Sequence, residues 1–244
     1  MPRGRNHPSG GLSNTPMPAP ISVIVPTLDA AEALPETLAC LAEGLSAGLI
    51  RDLVVTDGGS QDATRKVADA AGALWCTGPP GRGGQLRRGC AAARGDWFLV
   101  LHADTWLAPG WATAAGAALA EPDRAHAFRL AFRATGAAPA LVAGWANLRS
   151  RAFGLPYGDQ GLLIHRDLYE AAGGYPDIPL MEDVALVRAL PQKPRLLPAT
   201  ARTSAARYQA EGWVIRGAKN LATLARYTAG TSPERLAARY RKGR

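Results

Sequence analysis

The stretch FLVLHADTWLAPGW, residues 98 to 111, drives an apolar run into a lone carboxylate, Asp104, and then into a Pro-Gly turn. A strand that ends on an acid at a sheet edge is where α/β enzymes bind their ligands. Two further acidic points follow the same logic: Asp57 after the run DLVV, and the pair Glu182 and Asp183 in PLMEDVALVRAL. Carboxylates at predicted strand ends and a helix start suggest a metal-assisted transfer site.

The flanking text supports such a fold. From Ile21 the chain alternates strand-like and helix-like segments: ISVIV, a helix over about 31 to 44, RDLVVT, the helical DATRKVADA, ALWCT, a helix over about 84 to 93, WFLVLH, and a helix near 109 to 120. Short β-rich runs alternating with helices predict a mostly parallel sheet covered on both faces, an α/β/α sandwich of Rossmann-like type. The rhythm then changes. AHAFRLAFRA, residues 125 to 134, reads as a strand with a more exposed face, and a helix near 138 to 153 precedes GLPYGDQGLLIH. With 244 residues, 47% of them hydrophobic, the chain can bury one sizeable core. The expected division is a disordered tail over 1–20, a catalytic domain over 21–205 and a basic helical extension over 206–244.

Charge and apolar patterning bound the class. No apolar run reaches the ~18 residues of a membrane span, and the first twenty residues lack the apolar segment of a signal peptide, so a cytoplasmic address is expected. Cys40, Cys76 and Cys90 are odd in number and widely spaced, against a disulfide framework or a zinc site. The formal charge of +8 sits in the tails: residues 202 to 244 carry ten Lys or Arg against Glu211 and Glu234. That segment suits peripheral contact with an anionic membrane or a solvated face, and no nucleic-acid partner is expected. Within it, Val214, Ala218, Leu221 and Ala225 recur at three and four, an apolar stripe that predicts docking on the body. Ser232 and Pro233 then restart a short helix bearing Arg235, Arg239, Arg241, Lys242 and Arg244.

Several short motifs carry chemistry. SVIVPT, Ser22 to Thr27, ends a buried strand on a proline. DGGSQDAT, Asp57 to Thr64, joins an acid to glycines and a helix start, and PPGRGGQLRRG, Pro79 to Gly89, offers glycines and cations ahead of a helix, a pattern suited to phosphate. In this order, together with HAD at His102 to Asp104 and GGYPDIPLMEDVAL, they resemble the family 2 glycosyltransferases of GT-A fold over about residues 21 to 205. LPYGDQG and GGYPDIPLMEDV are most similar to a small subgroup labelled arsenosugar-biosynthesis glycosyltransferase.

The resemblance implies roles. Pro26, Thr27 and Asp57, with Gly58 beside it, would border the base and ribose of a nucleotide-sugar donor. Arg82 and Gln85 would lie near the base or diphosphate, and Asp104 would hold Mg²⁺ or Mn²⁺, with His102 as a second candidate ligand. Asp183, with Glu182 as its alternative, would take the acceptor proton, and Asp159 and Gln160 would line the pocket of a small-molecule or lipid-linked acceptor. The chain departs from the family pattern at three places: Gly58 stands where many relatives carry a second acid, His102 replaces the first Asp of Asp-x-Asp, and Arg87 often aligns with Asn. These losses keep a catalytically impaired nucleotide-sugar-binding protein as a rival. A sugar nucleotidyltransferase is disfavoured because SVIVPTLDAAEAL lacks Gly, Arg and Lys after the first strand.

Overall fold

The computed structural model describes residues 19–242, with side chains as far as Arg239. The tail expected to be disordered lies outside the described residues except for its last two positions. The first half runs β1 Ile21–Thr27, α1 Leu34–Ala39, α2 Ala42–Ser46, β2 Ile50–Asp57, α3 Thr64–Ala70, β3 Leu74–Thr77, α4 Arg82–Ala92 and β4 Trp97–Val100. Then follow β5 Thr105–Leu107, α5 Trp111–Ala118, β6 His126–Phe132, α6 Ala137–Phe153, a 3₁₀ turn Gly158–Gln160, β7 Leu162–His165, α7 Arg166–Ala171, α8 Glu182–Ala189 and β8 Arg195–Thr203. Helices α9 Ala206–Glu211, α10 Trp213–Thr228 and α11 Pro233–Lys242 end the described chain.

Among the described residues the strands form one sheet in the order β3-β2-β1-β4-β7-β6-β8-β5. Strand β1 pairs in parallel with both β2 and β4, and β2 with β3, so each connection must cross over a face. Side-chain alternation then builds two cores. Ile21, Val23, Val25, Trp97 and Leu99 point to the layer holding Leu34, Leu41 and Trp111; Ile24, Phe98 and Val100 point to the layer holding Leu86, Cys90, Tyr169 and Leu186. This is the α/β/α sandwich expected. Helix α4 sits tightly on the sheet because a Cβ at Gly89 would stand 2.5 Å from Ile24 Cγ2.

Several elements differ from expectation for identifiable reasons. The single helix over 31 to 44 is broken at Cys40, whose carbonyl accepts Trp111 Nε1–H at 2.9 Å. The strand before Asp104 stops at Val100, so His102 and Asp104 belong to the turn leading into β5. Strand β6 agrees with expectation: His126, Phe128, Leu130 and Phe132 are buried on one face, while the other carries the exposed Arg129 and the half-buried Ala131. Strand β8, not anticipated from sequence, carries Pro198, a residue that normally argues against a central strand. It is accommodated where the parallel register with β6 slips between Ala127 and Arg129, leaving residues 197–199 outside the pairing. The second half is correspondingly less parallel, with β7 antiparallel to both β4 and β6.

The C-terminal stripe is the largest departure. Val214, Ala218, Leu221 and Ala225 face solvent, and α10 instead turns Arg216, Asn220, Thr223 and Leu224 inward. Leu224 and Leu236 pack on Met181 and Val184, so the extension docks through a mixed face because the surface it covers is the polar wall of a cavity. Replacing Gly89 by Val should lower unfolding free energy by about 1–3 kcal/mol through overpacking. In urea denaturation Gly116→Ala should be neutral or stabilising, since its nearest neighbours would lie 3.9 Å away.

Candidate active site

The strand order reverses between β1 and β4, and a cavity of about 690 Å³ opens beyond the carboxyl ends of these strands. Its first wall is the chain leaving β1, Pro26 to Ala30. Thr27 is fixed from behind: its Oγ1–H donates to Asp57 Oδ1 at 2.8 Å. Asp57 also accepts from the Gly59 and Ser60 amides, at 2.8 and 2.7 Å, and from Ser60 Oγ–H. Burial alone would raise the Asp57 carboxyl, but the bonds from Ser60, Thr27 and Gly59 outweigh it and hold it below the ordinary carboxylate value. Asp57 is buried and off the cavity wall, so it shapes the turn behind the wall. Asp29, not anticipated as a site residue, stands on the wall with φ +48° and accepts the Gln61 amide at 2.8 Å.

Gln85 lies on the same wall, yet its amide is committed to backbone. Nε2–H groups donate to the Thr27 and Thr56 carbonyls at 2.7 and 2.9 Å. A Cβ on Gly58 would stand 3.1 to 3.2 Å from this amide. The missing second acid at Gly58 and the presence of Gln85 are therefore two sides of one packing solution. The glycines after Arg82 also serve packing: Gly83 and Gly84 lie against Pro176 to Ile178, where side chains would collide. They are buried beneath that loop. Arg87 is exposed and away from the cavity wall.

The centre of the cavity is ionic. Arg82, the first residue of α4, reaches Glu182 at the start of α8, Nη1 to Oε1 3.4 Å. Glu182 is 2% exposed. Burial, reinforced by the Asp183 charge and opposed by Arg82, pushes its carboxyl up to about 7. Asp183 beside it is half-buried on the cavity wall; its Oδ2 accepts the Gly158 amide at 2.7 Å and its Oδ1 the Val184 amide at 2.7 Å. The preceding Met181 is buried with φ +70°, a conformation that costs a non-glycine residue of order 1–3 kcal/mol and clusters at functional sites.

Asp104, His102 and Asp159 complete this region of the wall. Burial drives the His102 imidazole well below its ordinary value, with Arg82 and Arg207 adding to the effect, so the ring is neutral at pH 7. Its Nε2 edge abuts Gly158, which has no room for a side chain there. Burial raises Asp159 to about 6, with Arg149 opposing and the Asp183 and Asp104 charges reinforcing. Gln160 is elsewhere: fully buried, it accepts from Ser150 Oγ–H at 2.6 Å and donates to the Phe128 carbonyl at 3.0 Å. It fixes the 3₁₀ turn to α6 and β6 and does not line the cavity.

The far wall comes from the C-terminal helices: Arg207, Tyr208, Arg216, Asn220 and Thr223. Arg216 is held by Glu211, Nη1 to Oε1 2.8 Å, and Asn220 donates to the Tyr208 hydroxyl at 2.9 Å. Arg207 lines the cavity, whereas Arg202 is exposed on β8 and off its wall. The positions 216, 220 and 223 repeat at four and three, a polar stripe visible in the sequence but overshadowed by the apolar one.

A divalent cation fits this donor set in a limited way. Among the described residues no group of three or more His, Cys, Asp or Glu is arranged to hold a metal. One carboxylate, Asp104, and one neutral imidazole, His102, suit a cation whose other ligands are phosphate oxygens and water, as is usual for Mg²⁺ with nucleotides.

A doubly wound sheet with a polar, carboxylate-lined cavity at its switch point has its cavity where open α/β sheets bind ligands. The model for glycosyl transferase family 2 matches residues 22–150, more than half of the chain, and the chain belongs to that family. A mycobacterial protein of known crystal structure is 25% identical, with a TM-score of 0.51 over 76% of this chain; the chain spans 65% of its length. Glucosyl-3-phosphoglycerate synthase from Mycobacterium tuberculosis, crystallised with Mn²⁺ and uridine-diphosphate-glucose, shares the fold at 21% identity, with a TM-score of 0.53 over 76% of this chain and 70% of that one. S. aureus TarS 1-349 shares it at 16% identity, with a TM-score of 0.57 over 76% and 60% of the respective chains. No curated protein matches the chain. The fold is that of the GT-A glycosyltransferases.

Glu182 makes a stability prediction. A carboxyl raised on folding contributes stability that is present below its unfolded value, 4.5, and is lost as pH rises to about 7. Glu182→Gln has nothing to ionise and should flatten the fall of melting temperature between these limits. An unchanged slope would show that Glu182 ionises as readily in the folded protein as in the unfolded chain.

Proposed function

We propose that the chain transfers a sugar from a nucleotide-diphosphate donor to the hydroxyl of a small-molecule or lipid-linked acceptor, with metal assistance and inversion at the anomeric carbon. The observation that carries this reading is the convergence of Asp104, from the β4–β5 turn, and Asp183, from the start of α8, on one cavity at the switch point. The synthase complexes with Mn²⁺ and uridine-diphosphate-glucose, and with Mg²⁺ and uridine-diphosphate, support the choice of donor and cation. LPYGDQG and GGYPDIPLMEDV support a finer reading within the arsenosugar-biosynthesis subgroup, and the reaction is assigned to the cytoplasm.

In this reading the nucleoside lies along Pro26 to Ala30, a wall held in place by Asp57 and Gln85. Arg82 faces the diphosphate. Asp104, assisted by His102, would hold Mg²⁺ or Mn²⁺, which would supply positive charge to the leaving diphosphate. Asp183 takes the acceptor proton as the acceptor oxygen bonds to the anomeric carbon; the bond from that carbon to the diphosphate oxygen breaks, and the nucleoside diphosphate departs with the electron pair. Residues 206–244 act as an acceptor-side extension of the 21–205 domain, with Asp159, Tyr208, Asn220 and Thr223 around the acceptor. Asp159 is the second reading for the base. Its Oδ1 has no hydrogen-bond partner among the described residues, and a carboxyl raised to about 6 is well tuned for proton transfer near neutral pH.

Transfer assays with a panel of nucleotide-sugars and Mn²⁺ test the proposal. Asp183→Asn should keep donor binding and lose about 10²- to 10⁴-fold in acceptor-dependent rate. Asp104→Ala should lose metal-dependent donor binding, with a smaller loss for His102→Ala. Wild-type turnover in Asp183→Asn, with Asp159→Asn or Glu182→Gln inactive, would move the base to that residue. Donor binding with neither transfer nor hydrolysis in the wild type would favour the impaired binding protein, and formation of a sugar nucleotide from a sugar phosphate would favour the nucleotidyltransferase.

A further inference from the structure

Helix α10 is amphipathic in the reverse of the usual sense. Its polar side, Arg216, Asn220 and Thr223, lines the cavity, while Val214, Ile215 and Leu221 are 82%, 57% and 48% exposed. Helix α6, which packs beside it, adds Leu141, Trp145, Leu148 and Phe153, which are 73%, 49%, 55% and 62% exposed. Leu141, Trp145 and Leu148 recur at four and three and so form one stripe, while Pro139, Ala143, Ala146 and Ser150 occupy the buried side of the same helix. Single exposed apolar residues are ordinary, but stripes on two packed helices mark an interaction surface.

Charge selects what covers it. Arg151 at the end of α6, Arg226 on α10, and Arg235 and Arg239 on α11 are exposed. From residue 206 to 244 the sequence carries nine Lys or Arg against Glu211 and Glu234. A second copy meeting this face would set like charges against each other, whereas an anionic surface would complement them. Trp145, half-exposed among aliphatic neighbours, is the residue type enriched where a bilayer meets water.

We infer that the face formed by α6 and α10 docks on a bilayer containing anionic lipid. The apolar stripes enter the boundary between headgroups and acyl chains, and the exposed arginines of α6, α10 and α11 meet lipid phosphates. Helix α10 then separates the cavity from the lipid surface by the thickness of one helix. This inference stands on the surface itself and does not depend on sugar transfer.

Flotation of the full chain with vesicles of phosphatidylcholine, alone or mixed with phosphatidylglycerol, tests it. The chain should float with the anionic vesicles and much less with the neutral ones. Leu221→Glu and Trp145→Ser should each weaken partitioning by about ten-fold, and Arg226→Gln or Arg235→Gln by about five-fold at low salt. All four positions are exposed or half-exposed, so unchanged circular dichroism and melting temperature will show that each variant remains folded. Equal flotation with neutral and anionic lipid, undiminished flotation of folded Leu221→Glu and Trp145→Ser, or a concentration-dependent dimer abolished by Leu221→Glu would each overturn the inference.

Discussion

Parallel pairing of β1 with both β2 and β4 is the constraint from which the rest of the molecule follows. Parallel neighbours cannot be joined by tight hairpins, so α1 to α4 must cross the sheet, and their apolar faces bury both sides of β1. Because the chain first builds outward through β2 and β3 and then returns to β4, the loops at the carboxyl ends of β1 and β4 diverge. The gap between them is the cavity. Thr27 and Asp104 stand at its edges as a consequence of topology, before any side-chain chemistry is considered.

The second half of the chain closes that gap. The loop at Pro176 to Ile178 fits over Gly83 and Gly84, Arg82 pairs with Glu182, and the Gly158 amide holds Asp183. These contacts fix the start of α8, with Met181 in a left-handed conformation and Leu224 and Leu236 packed on it. The C-terminal helices thus press on the segment that carries the acidic pair. A buried Glu182 and a cavity-facing Asp183 have different environments, and neighbouring carboxyls held in different environments can take different roles in proton chemistry.

Much of the sheet was legible because buried parallel strands read as short runs of Val, Ile, Leu and Trp between helices. The hidden parts have physical causes. Pro198 concealed β8 because its tolerance depends on a register slip that only the partner strand creates, and β5 is too short to show a period. For the site, an acid after an apolar run marked Asp104 and an acidic pair at a helix start marked Asp183, and both line one cavity. Periodicity could not tell that Asp57 and Gln85 spend their hydrogen bonds on backbone and turn, or that Gln160 is locked behind the wall. The orientation of α10 was unreadable for a related reason: an apolar stripe normally faces the protein, and a polar cavity reverses that preference.

In the proposed reaction one cavity would receive a nucleotide diphosphate at the ends of β1 and β4, with Asp104 holding the cation and Asp183 facing the acceptor side. The most direct measurement is a crystal structure of the chain with uridine-diphosphate and Mn²⁺. It should show the nucleoside against Pro26 to Ala30, the diphosphate beside Arg82, and Mn²⁺ bound by Asp104 and by phosphate oxygens. Nucleotide bound against the outer face of α10, or Mn²⁺ bound away from Asp104, would contradict the account.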